Sequence, residues 1–244
     1  MSSRAQFLER IRAQMARTPA GLFAAVPSPR PARPSELAQS IHRALSERWQ
    51  PTLERFQREF ERVGGVLHRV GGVADVPAVV GRLARERDAR GVVTWHPSAL
   101  GFDPEAGLAA EQLTYHRMPD DVPGDEERRA LGQTIATTPL GMTGVDLALA
   151  ETGTLILRSG PGRPRSTSLL PACHLAVFDR TALVESLAQV SVFLEAWHAD
   201  DAPGAVINFI TGPSRTADIE LTLTRGVHGP KEVHAIFVDE PIRG

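Results

Sequence analysis

A chain of 244 residues, 42% hydrophobic and 23% charged, has enough apolar material for one sizeable α/β domain with an added N-terminal piece. Its net charge is −2: eleven Arg against six acids give +5 over residues 1–62 and leave −7 on the rest, too mild an asymmetry to argue for nucleic acid. The single cysteine, Cys173, excludes an intrachain disulfide framework and any zinc or iron–sulfur site built on several thiolates.

Taken in chain order, residues 3–17 read as a helix with Phe7, Leu8, Ile11 and Met15 on one stripe. Amphipathic and carrying Glu9, this segment is not a secretory signal, and no apolar run approaches the roughly 18 residues that suggest a membrane span. The proline-rich stretch that follows reads as an extended linker, so residues 1–34 form a separable arm and residues 35–244 the main domain. Ser35 and Glu36 open a second helical stretch, and Pro51 breaks or restarts it before Gly64. From Gly65 the period changes: "GGVLHRV" is strand-like, "VPAVVGRLARERDA" helical and "GVVTW" a strand. Residues 98–130, with eight acids against three Arg, read as irregular around a weak strand at Leu113–Arg117. "DLALAETGTLILR" suggests two strands and a tight turn, preceded by a glycine-eased backbone at Gly141 and Gly144. "CHLAVFD", "AVINFIT" (read as buried) and "EVHAIFVD" are strands, and "TALVESLAQVSVFLEAW" a helix capped by Thr181. Alternating strands and helices imply a layered α/β fold with a largely parallel sheet.

Several clusters carry chemistry. Glu151, flanked by Thr152, Gly153 and Thr154 at a turn, is the candidate catalytic carboxylate, able to orient a substrate or relay a proton; the alternative is an exposed hairpin turn. "TGPSRTADIE" follows a strand, where ligands of open α/β sheets collect. There a helix beginning near Ser214 or Thr216 would offer free N–H groups, and Arg215 a planar fork, to a carboxylate or phosphate. Gly212, Ser214, Arg215, Thr216 and Asp218 are its ligand-binding candidates, the alternative being a helix start with Arg215 paired to Asp218 or Glu220. His228, in "RGVHGP", is a turn histidine able to titrate near neutrality and close that pocket, the alternative being a histidine that only hydrogen-bonds the backbone. Arg163 and Arg165, in "SGPGRPRSTSLLP", can close over an anion or stay solvated. Cys173 reads as a buried residue, with His174 the only suggestive neighbour for a nucleophilic role, and Lys231 is the sole lysine. The eight scattered histidines show no metal-ligand spacing, and the full Rossmann and Walker fingerprints and a "GxSxG" elbow are absent.

In combination, "GVDLALAETGTLIL", "LLPACHLAVF", "TGPSRTADIE" and "GVHGPKEVHAIFV" resemble the LUD domain of the lactate utilization protein C (LutC) family, over roughly residues 35–240. The resemblance implies a layered fold like that of NagB, RpiA and the CoA transferases, with a mostly parallel sheet and here an N-terminal helical extension. It implies a cytoplasmic role in oxidising L-lactate to pyruvate alongside iron–sulfur partner proteins, with the clusters held by the partners and no cofactor or metal in this chain. It carries over no catalytic residues. Binding of a small anionic ligand and homo-oligomer formation are expectations. Two other readings stay open: a stand-alone enzyme acting on a small carboxylic acid or its CoA thioester, and a ligand-sensing regulatory subunit.

Overall fold

Two strands that are apolar along nearly their whole length, β7 (Cys173–Asp179) and β12 (Glu232–Val238), set the architecture. Every residue of β7 and all but the first of β12 are buried, the pattern of parallel strands covered on both faces. The computed structural model describes residues 4–17, 32–121, 124–199, 206–217 and 223–242. In chain order these hold α1 (Arg4–Arg17), α2 (Pro34–Glu47), α3 (Trp49–Arg62), β1 (Val66–Val70), α4 (Val76–Arg85), β2 (Gly91–Thr94), α5 (Pro97–Leu100), α6 (Glu105–Ala110) and β3 (Thr114–Arg117). There follow α7 (Asp125–Thr137), β4 (Leu140–Gly144), β5 (Leu147–Leu149), β6 (Thr154–Arg158), β7, β8 (Leu183–Val184), α8 (Leu187–Ala199), β9 (Ile207–Ile210), β10 (Arg215–Ala217), β11 (Leu223–Arg225) and β12.

A six-stranded sheet runs β1-β12-β7-β4-β2-β3 with every pair parallel. A four-stranded sheet, β8-β5-β6-β9, adds the antiparallel hairpin expected around "ETG". The fold is thus α/β with a mostly parallel central sheet and a helical N-terminal region. One face of the large sheet is covered by α3, whose Phe56 and Phe60 stack at 5.2 Å while Phe178 meets Phe56 edge-on at 5.5 Å. A second core forms where α2 and α8 cover β5, β6 and β8, burying Leu45, Leu147, Ile156, Val190 and Phe193. Among the described residues no helix is long and apolar enough to cross a membrane.

Five local expectations are corrected. Gly141 and Gly144 precede the hairpin strand β5 as expected, but they lie within a buried strand of their own, β4, and not in a tight turn. A side chain at Gly141 would run into the Thr167 carbonyl, so the strand is glycine-bearing because another segment passes directly over it. β9 is an edge strand with Ile207 and Phe209 exposed, not a buried one. Thr181 caps nothing at α8, which begins six residues later; it sits in a short 3₁₀ turn and donates its hydroxyl to Asp179. The helix expected from Ser214 or Thr216 is a strand: β10 pairs with β11, Arg215 opposite Arg225. Ser214 is held from both sides, its N–H donating to the Pro230 carbonyl at 2.9 Å and its carbonyl accepting from Gly226 at 3.1 Å. Those bonds commit the backbone to a hairpin before a helical turn can form. Residues 98–130, expected to be irregular apart from the weak strand, also hold α5, α6 and the start of α7. Pro51 stands in the first turn of α3, where its missing N–H costs nothing.

At the amino-terminal ends of β7 and β12 lies a network of histidines. His68 Nε2 and His234 Nδ1 are 3.0 Å apart, His234 Nε2 is 3.1 Å from Glu232 Oε2, and Arg82 Nη2 is 3.2 Å from His68 Nδ1. Only a neutral His68 can accept from Arg82. Burial first, then His234 and Arg82, pushes His68 down to about 4. Burial first, then His234, pushes the fully buried His174 down to about 3. An unfolded histidine takes up a proton near pH 6.5, whereas these two do so only at lower pH. The unfolded chain therefore binds more protons in that window, and stability, complete above the unfolded value, falls with pH. Chemical denaturation should show a lower midpoint at pH 5 than at pH 7, and His68→Gln should reduce that difference.

Candidate functional site

Ligands of open parallel sheets collect at the carboxyl ends of the strands. In this protein β4 ends at Gly144 and β7 at Asp179, and both line a cavity of about 230 Å³. Asp146, just past β4, is its anchor. The side chain is only 6% exposed, and it accepts from Arg158 N at 2.7 Å, Arg158 Nε at 3.1 Å and Arg163 Nη1 at 3.0 Å. Arg158, the last residue of β6, lies over the Trp197 ring at 4.2 Å. Arg163 lies over Trp95 at 5.3 Å and is carried on a tight loop in which Gly160 and Arg163 exchange backbone hydrogen bonds. Asp179 is also fully engaged, accepting from Thr181 N at 2.7 Å, Thr181 Oγ1 at 2.6 Å and Ile242 N. His42 of α2 completes the wall; burial, opposed by a bond to the Thr181 backbone and by Asp179, holds it below its ordinary value. Each guanidinium uses only part of its five N–H donors on Asp146, so the rest suit an anionic guest. Between α7 and the loop at 160–166 lies a second, mostly apolar cavity of about 330 Å³, lined by Met118, Leu131, Ile135 and Pro161 among others.

Of the residues singled out in the sequence, Gly153, Gly212 and Arg215 meet around the last turn of α3. Thr152 and Thr154 hydroxyls are 2.7 Å apart, and Thr154 and Thr211 hydroxyls 2.8 Å. Gly153, at φ +60°, lies so close to α3 that a side chain would strike the Phe60 amide. Gly212, at φ +80°, would place a Cβ 2.6 Å from the Val63 carbonyl. Arg215 donates to that same Val63 carbonyl, at the carboxyl end of α3. Glu151 is exposed, and its Oε2 accepts from Leu187 N at 2.8 Å, capping the first turn of α8. His228 is exposed on the turn after β11, joined to Ser214 through the Pro230 backbone. Thr216 lies in β10 opposite Thr224. Asp218 and Glu220 lie outside the described residues. Of the arginine pair in the 159–171 loop, Arg163 lines the cavity, whereas Arg165 opens a 3₁₀ turn.

A model of the LUD domain matches residues 53–238. The chain belongs to the LUD domain family. Among its relatives, "Lactate utilization protein C" of Halalkalibacterium halodurans is 36% identical over 164 residues, 66% of this chain and 68% of that protein. The protein of the same name in Oceanobacillus iheyensis is 30% identical over 170 residues, 68% of this chain and 70% of that one. That of Shouchella clausii is 41% identical over 101 residues, 41% of this chain and 44% of that one. The crystal structure of a DUF162 family protein from Deinococcus radiodurans superposes with a TM-score of 0.53 at 18% identity, covering 77% of this chain and 96% of that one, a likeness of fold.

At the opposite, amino-terminal ends of the strands, the described residues of this LUD domain bring together one set of potential metal ligands that sequence spacing did not reveal. Atoms of Cys173, Glu232 and His234 lie within 4.8 Å of one another. The three come from two strands paired Glu232 to Cys173, so their proximity is a matter of register. Arg87 occupies the same ground, bonded to Glu232 and 3.2 Å from His234 Nε2. Burial pushes the Cys173 thiol up to about 12. His174 is no base for it: neighbours on a strand face opposite ways, and His174 Nε2 is 2.9 Å from Thr143 Oγ1.

Asp146, Arg158, His42, Thr181 and Trp197 were missed from the sequence. Asp146 was within reach, since pairing Leu147 with Ile156 carries it beside Arg158; His42 and Trp197, on helices far apart in the chain, leave no such trace. Substitutions around α3 should separate packing from chemistry. Gly153→Ala should cost at least about 2 kcal/mol, through positive φ and a clash with helix backbone. Glu151→Ala should cost about 1 kcal/mol through the lost cap. Urea denaturation of both variants checks the order.

Proposed function

We propose that this LUD-domain protein takes part in lactate utilization, binding a small carboxylate in the cavity between Asp146, Arg158 and Arg163. The observation that carries the reading is a nearly buried carboxylate that holds two guanidinium groups side by side at the carboxyl edge of a parallel sheet. Such a pair is pre-organised: Asp146 fixes both planes before a ligand arrives, so little side-chain freedom is lost on binding. The names of the relatives supply the metabolic setting. In this reading the work is cytoplasmic, and the electron-carrying iron–sulfur clusters belong to partner proteins, because one cysteine cannot ligate a cluster.

A second reading keeps the anion at Gly212–Arg215, with Ser214, Thr216, Asp218 and His228 around it and Glu151 with Thr152, Gly153 and Thr154 as the reactive turn. It is favoured by Arg215 being exposed with a single hydrogen bond, to Val63, among the described residues. Under that reading the protein can act alone, Glu151 serving as base or nucleophile on an acid or its CoA thioester.

Calorimetric titration with L-lactate, pyruvate and phosphate decides between them. Arg163→Ala should weaken carboxylate binding roughly ten- to a hundredfold, as expected for one or two charge-assisted hydrogen bonds, with Arg215→Ala within about twofold of wild type. The reverse pattern moves the site to α3, and partner-free CoA exchange lost in Glu151→Gln establishes the stand-alone enzyme.

A further inference from the structure

The cavity holds a histidine that the binding of a plain carboxylate leaves unused. His42 lines it from α2. Its hydrogen bond with the Thr181 backbone favours the protonated ring, which makes a ring nitrogen the donor and the Thr181 carbonyl the acceptor. The ring meets Phe193 edge-on, with centroids 4.6 Å apart and planes at 82°, so its orientation is set by packing as well as by that bond. With one nitrogen spent as a donor, the other carries a lone pair and can only accept, as long as the ring is neutral. Burial, the largest influence, keeps it so by holding His42 below its ordinary value.

The other charged side chains of the wall cannot do this. Arg158 and Arg163 are donors only. The oxygens of Asp146 and Asp179 accept from protein groups, and both side chains are almost inaccessible. Thr181 has donated its proton to Asp179, though its oxygen can still accept. Ala99, Leu100 and Leu147 supply an apolar part of the same wall.

We infer that His42 accepts a hydrogen bond from a hydroxyl next to the ligand's carboxylate, so that the cavity selects 2-hydroxy acids over 2-oxo acids and unsubstituted carboxylates. This rests on the cavity reading of the function and adds to it the residue that reads the second carbon. The two guanidinium groups take the carboxylate, His42 the hydroxyl, and the apolar wall the alkyl group. A 2-oxo acid sets a carbonyl lone pair against the lone pair of His42, and an unsubstituted acid leaves that nitrogen unpaired. Three unlike contacts also distinguish mirror images, so the two enantiomers of lactate bind unequally.

Titration of the full chain with L-lactate, D-lactate, pyruvate and propionate tests this. Wild type should bind the better lactate enantiomer about five- to tenfold more tightly than propionate or pyruvate, the worth of one hydrogen bond. His42→Phe keeps a ring against Phe193 and should bring lactate to the propionate level, leaving propionate within about twofold. His42→Gln keeps an acceptor oxygen and an amide donor for Thr181, and should restore part of the preference. Thermal melts establish that both variants are folded; should His42→Phe not fold, His42→Asn takes its place, its shorter arm unable to serve both partners. A wild type that binds all four alike, or a preference that survives loss of the imidazole or is abolished by Thr181→Val instead, overturns the inference while the cavity reading stands. No binding of any of the four overturns both.

Discussion

The close approach of two glycines to the end of α3 is the contact on which the two sheets depend for their relative placement. Gly153 turns the β5–β6 hairpin against the backbone at Glu59 and Phe60, and Gly212 brings the chain after β9 against Val63. Phe60, one turn back, is fully buried and stacks on Phe56, which in turn meets Phe178 of β7. Helix, hairpin and large sheet are thereby locked through one aromatic column. Arg215 closes the arrangement by donating to the Val63 carbonyl, one of the carbonyls a helix end leaves unsatisfied. The motifs that mark the LUD family are, in this part of the chain, the places where backbone must meet backbone.

That explains what the sequence disclosed and what it withheld. The strands of the large sheet declared themselves through apolar runs, as "CHLAVFD" and "EVHAIFVD" show, and α3 and α4 through their periodicity. β4 did not, because "LGMTG" has too few side chains to signal burial although all five residues are buried. β10 reads as a helix start in the sequence because glycine, proline, serine and arginine resemble a cap when their partner strand is not in view. "ETGT" and "GPSR" stand out in the sequence, but glycines placed for close packing and glycines placed to cradle a ligand look alike in one dimension. The cavity residues come from α2, the turn after β4, the end of β6 and α8, and only the fold brings them together.

The two ends of the parallel sheet treat charge differently. At the amino end Arg87, Glu232, His234 and His68 are bonded to one another, with the buried Arg87 Nε left without a partner among the described residues, and the imidazoles are kept neutral by burial and by nearby arginines. The carboxylate and both imidazoles of that cluster are engaged within the protein. At the carboxyl end one aspartate serves two arginines, each resting on an indole ring that shields one face. The two guanidinium groups there carry more N–H donors than Asp146 can accept, and the proposed anion site relies on that surplus.

Arg158 reaches Asp146 with both its backbone N–H and its side chain. The first bond belongs to the hairpin and the second to the cavity, so strand alignment and the presentation of positive charge are one event. A slip of a single residue between β5 and β6 would turn Arg158 to the other face and strand Asp146 without a counter-ion. Misaligned chains are thus penalised at the very place where they would be useless, and a ligand that grips Arg158 also tightens the hairpin that carries it.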